Sequence, residues 1–170
     1  VILIGCPAAS LREVCAERAP SHILLLVSPG IAAPVPPPAP LTLALVFNDI
    51  PAERPGFVAP RTEDVARILA FGRSWDGGAP LLASCQAGVS RSTAALFIIA
   101  CACRPDLPEA AIAERLRHAA PSATPNPLLV SLADRILGRQ DRMIQAVAGI
   151  GRGADYVPYR SFELALPPAG

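Results

Sequence analysis

Apolar residues along this chain gather in short runs that switch between two spacings. Val1 to Ile4, His22 to Val27, Leu41 to Phe47 and Pro80 to Ser84 are continuous runs of strand length, bounded by turn residues. Such runs predict buried strands of a parallel sheet, so Leu41 to Phe47 is expected to be well buried. Helical spacing fills the intervals. Leu11 to Arg18 predicts a short helix with Ser10 as N-cap. Thr62 to Arg73 puts Val65, Ile68, Leu69 and Gly72 at i, i+3, i+4, i+7. Thr93 to Cys103 is apolar almost throughout and predicts a buried helix. Asp106-Leu107-Pro108-Glu109 has the form of a capping box opening a helix that carries Ile112 and Leu116. Asn126 is the predicted cap of a further helix, with Leu128, Leu129, Leu132, Ala133, Ile136 and Leu137 inward and Gly138 closing it. Met143, Ile144, Val147 and Ile150 predict the last helix.

Between these elements the chain is broken by proline and glycine. Pro34 to Pro40 must be an irregular connection, because proline supplies no ladder hydrogen bond. Asn48 to Pro60 reads as a loop, and Asp76-Gly77-Gly78 as a turn. Strands alternate with helices in the first half and helices dominate the second. The expected fold is α/β, with a central, mainly parallel sheet of about four to five strands flanked by helices on both faces. Residues 1–150 form one domain on this reading, and residues 151–170 a C-terminal extension packed on it or loosely ordered. Ligands of such sheets bind beyond the carboxyl ends of the strands.

Composition excludes several classes of function. The chain is 52% hydrophobic with mean hydropathy +0.41, yet no apolar run approaches a membrane span. Val1 to Ile4 is too short for the apolar part of a signal peptide and lacks a basic flank, so a cytoplasmic protein is expected. All 15 basic residues are arginine, spread without a block, and the net charge is +1; nothing points to nucleic acid or a membrane surface. Five cysteines without a CxxC pair read as free thiols in a reducing compartment, with Cys101 and Cys103 structural. Two scattered histidines are too few for a zinc site, so no metal and no cofactor is expected.

The residues that carry chemistry are Cys85-Gln86-Ala87-Gly88-Val89-Ser90-Arg91-Ser92. They follow a predicted strand and open a predicted helix. A strand, a tight loop and a helix N-terminus form a nest of backbone N–H groups that favours an anion. The same N–H groups and Arg91 favour thiolate over thiol at Cys85. An anion cradle with its own nucleophile points to phosphoryl transfer through sulfur.

The octapeptide matches the Cys-x5-Arg-Ser/Thr signature, and the chain resembles the cysteine-dependent protein tyrosine and dual-specificity phosphatases. Ala87-Gly88 followed by Arg91-Ser92 fits that family's A-G-x-x-R-S core. Phe47-Asn48-Asp49-Ile50, 36 positions before Cys85 counted from Asp49, lies where compact members carry their general acid. Pro125-Asn126 resembles the P-N element of the same group. With Ser122 to Asn126 and Gly151-Arg152-Gly153, the run from Asn48 to Gly153 is similar to a bacterial branch of small tyrosine-phosphatase-like proteins. The resemblance implies a phosphatase-type sheet and a two-step reaction through a cysteinyl-phosphate. Cys85 is the implied nucleophile and Asp49 the implied acid; Ser92 would stabilise the departing thiolate. Arg91 and the loop N–H groups of Gln86, Ala87, Gly88, Val89 and Ser90 would bind the phosphoryl oxygens. Asn126 is a bracing residue. Ser84 stands where the family usually has a histidine that braces the loop. Serine can donate one hydrogen bond but brings no charge. The thiol is therefore expected in the upper part of the lowered range of roughly 3.5–7.5, with slower turnover than a histidine-bearing relative.

The implied partner is a phosphorylated protein, most simply on tyrosine, or a small phosphomonoester. Uncharged Gln86, Ala87, Val89 and Ser90 argue against highly anionic inositol phosphates. Asp64 and Asp76 are poorer acids than Asp49, since they fall on a helix and a distal turn. A phosphate-binding module with weak or no turnover is the alternative function. Arsenate reduction or sulfur transfer is a third, and would need Cys6 or Cys15 to approach Cys85. Oligomeric state stays open.

Overall fold

The computed structural model describes residues 1–37, 41–158 and 160–167. In chain order the elements are β1 (Ile2–Pro7), α1 (Leu11–Arg18), β2 (His22–Val27), β3 (Leu41–Val46), α2 (Thr62–Ser74), β4 (Leu81–Cys85), α3 (Arg91–Cys103), α4 (Glu109–Ala119), α5 (Pro127–Leu137), α6 (Arg142–Ile150) and β5 (Phe162–Ala165). The strands form a single five-stranded sheet in the order β3-β2-β4-β1-β5. All pairings are parallel except β1 with β5. The fold is thus α/β with a mixed, mostly parallel sheet.

The apolar runs explain the layers. Strands β2 and β4 are flanked on both sides and buried along their whole length. Their side chains alternate between two cores. On one face Leu24, Leu26, Leu81 and Ala83 pack against the five helices that follow β3. On the other, Ile23, Leu25, Val27 and Leu82 meet Leu11, Val14 and Cys15 of α1. Helix α3 runs through the larger core with Ala94 to Ala100 fully buried, which is why its sequence is apolar all round. Gly72 of α2 lets the two helices close up: a Cβ there would lie 3.0 Å from the Ile99 side chain.

Several details differ from their sequence reading or add to it. Strand β3 is parallel as expected but lies at the sheet edge, so Leu41 is 55% and Val46 54% exposed. Residues 162–165, within the segment read as extended or loosely ordered, pair with β1, and Phe162 covers Gly5. Residue 159, residues 168–170 and the end of the proline-rich connection (38–40) lie outside the described residues. Asp106 does not cap α4. Its carboxylate pairs with Arg104, and Glu109 pairs instead with Arg139 and Arg142 at 3.2 Å each. Ser10 makes no side-chain cap, because a single 3-10 turn over Ala8–Ser10 runs directly into α1. Ile136, expected inward, is 38% exposed on α5, and Ile144 of α6 is 38% exposed as well. The Asp134 carboxylate between these helices accepts from the backbone N–H groups of Asp141 and Met143 and fixes their corner.

At the end of the sheet opposite Cys85, His22 is buried against the Phe71 ring, with Ser21 Oγ 3.0 Å from Nδ1 and Ser74 Oγ 3.3 Å from Nε2. Burial lowers its pKa from 6.5, opposed in part by the charge of Asp76. The unfolded chain then binds this proton more readily than the folded one. The contribution to stability is full above 6.5 and is lost as pH falls below it towards the lower folded value. Melting temperatures of wild type and His22→Gln between about pH 7.5 and about pH 5 should diverge, wild type losing more. Parallel curves would remove His22 as the acid-sensitive group.

Candidate active site

The octapeptide lies where β4 ends and α3 begins. Cys85 closes the strand, buried, and Arg91 opens the helix. Gly88 sits between them with φ +74° and packs on the end of β1: a Cβ would come within 2.8 Å of Pro7 N and 2.9 Å of the Cys6 carbonyl carbon. Only glycine satisfies both conditions. Thr93 braces the loop from below, its hydroxyl donating to the Val89 carbonyl at 2.6 Å and the Ser90 carbonyl at 2.9 Å. Thr124 N–H donates to Val89 O at 2.9 Å, and Asn126 N–H to Ser90 O at 3.3 Å. Gln86 is exposed and Ala87, Val89 and Ser90 half-buried, so the loop follows the surface with its side chains outward. Gly88→Ala is expected to destabilise the fold by about 1–3 kcal/mol, the scale of a residue held in an unfavourable backbone region. A denaturation midpoint unchanged from wild type would mean the loop absorbs the methyl group.

Arg91 is the most constrained side chain of the site. It is 3% exposed, and its Nη1 donates to Ser28 Oγ and to the Phe47 carbonyl, both at 3.0 Å. Its Nε is buried with no hydrogen-bond partner among the described residues, and the nearest acid oxygen, Asp49 Oδ2, is 3.9 Å away. A guanidinium edge desolvated in this way costs free energy unless an acceptor fills it. Two parallel N–H donors are the geometry that a tetrahedral oxyanion accepts. Cys85 Sγ lies 3.2 Å from Ser92 Oγ.

Asp49 is brought to the loop from the far side of the sheet. Asn48 clasps the base of its loop, exchanging a backbone bond with Val58 O at 2.7 Å and a side-chain bond from Val58 N–H at 2.8 Å. Asp49 Oδ1 accepts from Ser90 Oγ at 2.7 Å and from Asn126 Nδ2 at 2.8 Å. Asn126 is buried and also donates to Ile50 O at 3.0 Å, while its Oδ1 caps α5 by accepting from Leu129 N–H at 3.0 Å. One asparagine therefore ties the cradle, the Asp49 loop and a helix N-terminus together. Asp64 and Asp76 are spent on the N–H groups of Arg61 and Gly78, away from Cys85.

Ser84 departs from its sequence reading. Its side chain faces the α1 side of the sheet, beside Cys6 in register, and its hydroxyl makes no hydrogen bond among the described residues. It therefore braces nothing in the loop. Cys6 and Cys15 pack into the α1-side core, whereas Cys85 belongs to the other. Burial pushes the Cys6 thiol up to about 12 and raises Cys15 as well. Neither suits a resolving thiolate. No group of three or more His, Cys, Asp or Glu among the described residues could hold a metal ion. Among them too, no helix is long and apolar enough to cross a membrane.

Ser28, Thr93, Thr124 and the Phe47 carbonyl were not singled out from sequence. Ser28 and Phe47 carry one usable signal, since both follow strand runs whose ends a parallel sheet brings to the same edge.

The five-stranded, mostly parallel sheet flanked by helices is similar in fold to solved structures of dual-specificity phosphatases. Among solved structures, human DUSP28 matches with TM-score 0.59 and 22% identity over 81% of this chain and 94% of its own. Human tyrosine phosphatase-like serine/threonine/tyrosine-interacting protein matches with TM-score 0.63 and 17% identity over 81% and 92%. A mouse putative dual specificity phosphatase complexed with zinc tungstate matches with TM-score 0.55 and 21% identity over 83% and 84%. These neighbours are human and murine, and they lend the narrower bacterial branch no support. No protein-family model and no curated protein matches the chain.

Proposed function

We propose that the protein hydrolyses phosphomonoesters through a cysteinyl-phosphate, as a protein tyrosine phosphatase of the dual-specificity type. The observation that carries this reading is Arg91 Nε, buried without an acceptor among the described residues while Nη1 is held by Ser28 and Phe47. In the first step Cys85 Sγ attacks phosphorus in line; the S–P bond forms as the P–O bond to the leaving group breaks. Asp49 gives its proton to the departing oxygen, and Arg91 with the loop N–H groups holds the equatorial oxygens. In the second step water attacks phosphorus, Asp49 takes up its proton, and Ser92 donates to the sulfur as it leaves. Phosphotyrosine is the leading substrate, and phosphoserine and phosphothreonine are open to the same chemistry. The free cysteines fit a reducing, cytoplasmic setting in which the nucleophile stays a thiol.

A second reading is a phosphate-binding module with weak or no turnover. Its support is Ser84, whose hydroxyl has no hydrogen-bond partner among the described residues and so does not brace the loop behind Cys85. Rapid mixing with an aryl phosphate separates the two. The enzyme reading expects a product burst matching the enzyme concentration and, after quenching, phosphate on Cys85. Bound phosphate without burst, phosphoenzyme or turnover would leave the binding module.

A further inference from the structure

We infer that Ser90 is a positioning residue that decides which oxygen of Asp49 carries the transferable proton; this rests on the general-acid role proposed for Asp49. Ser90 occupies the N-cap position of α3, where a serine hydroxyl ordinarily accepts from a first-turn N–H. Here it caps nothing. It turns outward and donates to Asp49 Oδ1 at 2.7 Å. The first-turn N–H groups are thereby left without a side-chain competitor for an oxyanion, and the acid is tied to the residue next to Arg91.

Oδ1 also accepts from Asn126 Nδ2 at 2.8 Å. A protonated carboxyl has one carbonyl oxygen, with two lone pairs to accept hydrogen bonds, and one hydroxyl oxygen. Two donors on Oδ1 make it the carbonyl oxygen, so the proton resides on Oδ2. Oδ2 is the atom that faces Arg91 Nε at 3.9 Å, across the gap that a phosphoryl group would enter. On transfer the Oδ2–H bond breaks and the proton passes to the leaving oxygen. The P–O bond breaks as the S–P bond forms, and Asp49 is left as carboxylate with Ser90 and Asn126 still donating to Oδ1. Asn126 cannot set this geometry alone through the cradle, because its side chain is shared with Ile50 O and the α5 N-terminus. Ser90 indexes the acid to the phosphate site itself.

The test is the dependence of kcat/KM on leaving-group pKa across a series of aryl and alkyl phosphates. Asp49→Asn is expected to steepen it, with losses of about 10²–10⁴-fold at the most basic leaving groups. Ser90→Ala should steepen it part of the way, costing about tenfold at the basic end and less at the acidic end. Ser90→Thr, which keeps the hydroxyl, should restore the wild-type slope. If Asp49→Asn steepens the series but Ser90→Ala runs parallel to wild type, Ser90 has no positioning role and the inference fails. If Asp49→Asn leaves the slope unchanged, Asp49 is not the acid, and that reading falls together with the inference. Thermal melts of each variant identify losses that come from misfolding, and Ser90→Gly, which also lacks the hydroxyl and suits an N-cap position, takes the place of Ser90→Ala if that variant does not fold.

Discussion

Cys85→Ser is expected to abolish turnover of an aryl phosphate while leaving phosphate bound in the loop. The loss should be roughly 10⁶-fold, the scale seen when another covalent enzyme loses its nucleophile. A thiolate attacks without further help, but an alcohol needs a base to take its proton. Sγ lies 3.2 Å from the Ser92 hydroxyl, which is no base. Anion binding depends instead on Arg91 and the loop backbone, which the substitution does not touch. Steady-state hydrolysis measures the first half of the prediction, and titration with inorganic phosphate the second. Residual turnover at even a hundredth of wild type would place the chemistry elsewhere.

Arg91→Lys is the second large effect. Lysine keeps the charge, so this variant isolates geometry. Arginine can hold Ser28 and Phe47 through Nη1 and still present its other edge to the site. A single ammonium group cannot do both. Losing one preorganised donor from an oxyanion site costs about 10²–10³-fold, and kcat/KM for an aryl phosphate should fall by at least that much. Part of the loss should come from the buried Phe47 carbonyl, which is left unpaired whenever the ammonium turns to the substrate. A decrease within about threefold would show that charge alone suffices and that the buried fork has another purpose.

The loop was legible because its parts are contiguous: eight residues carry the cysteine, the glycine hinge, the arginine and the helix start, and local sterics almost dictate their shape. Val65, Ile68, Leu69 and Gly72 were legible for a similar reason, since helical periodicity survives whichever way the helix docks. Asp49 and Asn126 could be nominated from a resemblance, but their hydrogen bond joins residues 77 positions apart. Nothing local encodes that distance. Ser28 looked like a turn residue, and only the strand order places it against Arg91. The same limit explains β3, whose apolar run reads as buried whether it lies inside or at the edge, and Asp106, which found an arginine before it could cap a helix.

By itself, then, the sequence determined most of the elements, the loop and its cysteine-arginine pair, because each depends on neighbours in the chain. The tertiary structure decided the rest. It brought Ser28, Phe47, Asp49 and Asn126 together beyond the carboxyl ends of the strands, buried Arg91 with its Nε unpaired among the described residues, and put Ser84 on the opposite face of the sheet from Cys85. The physical reason is that strand order and sheet face are settled by packing of the whole core, and a residue's partners across the sheet are known only once that packing is complete.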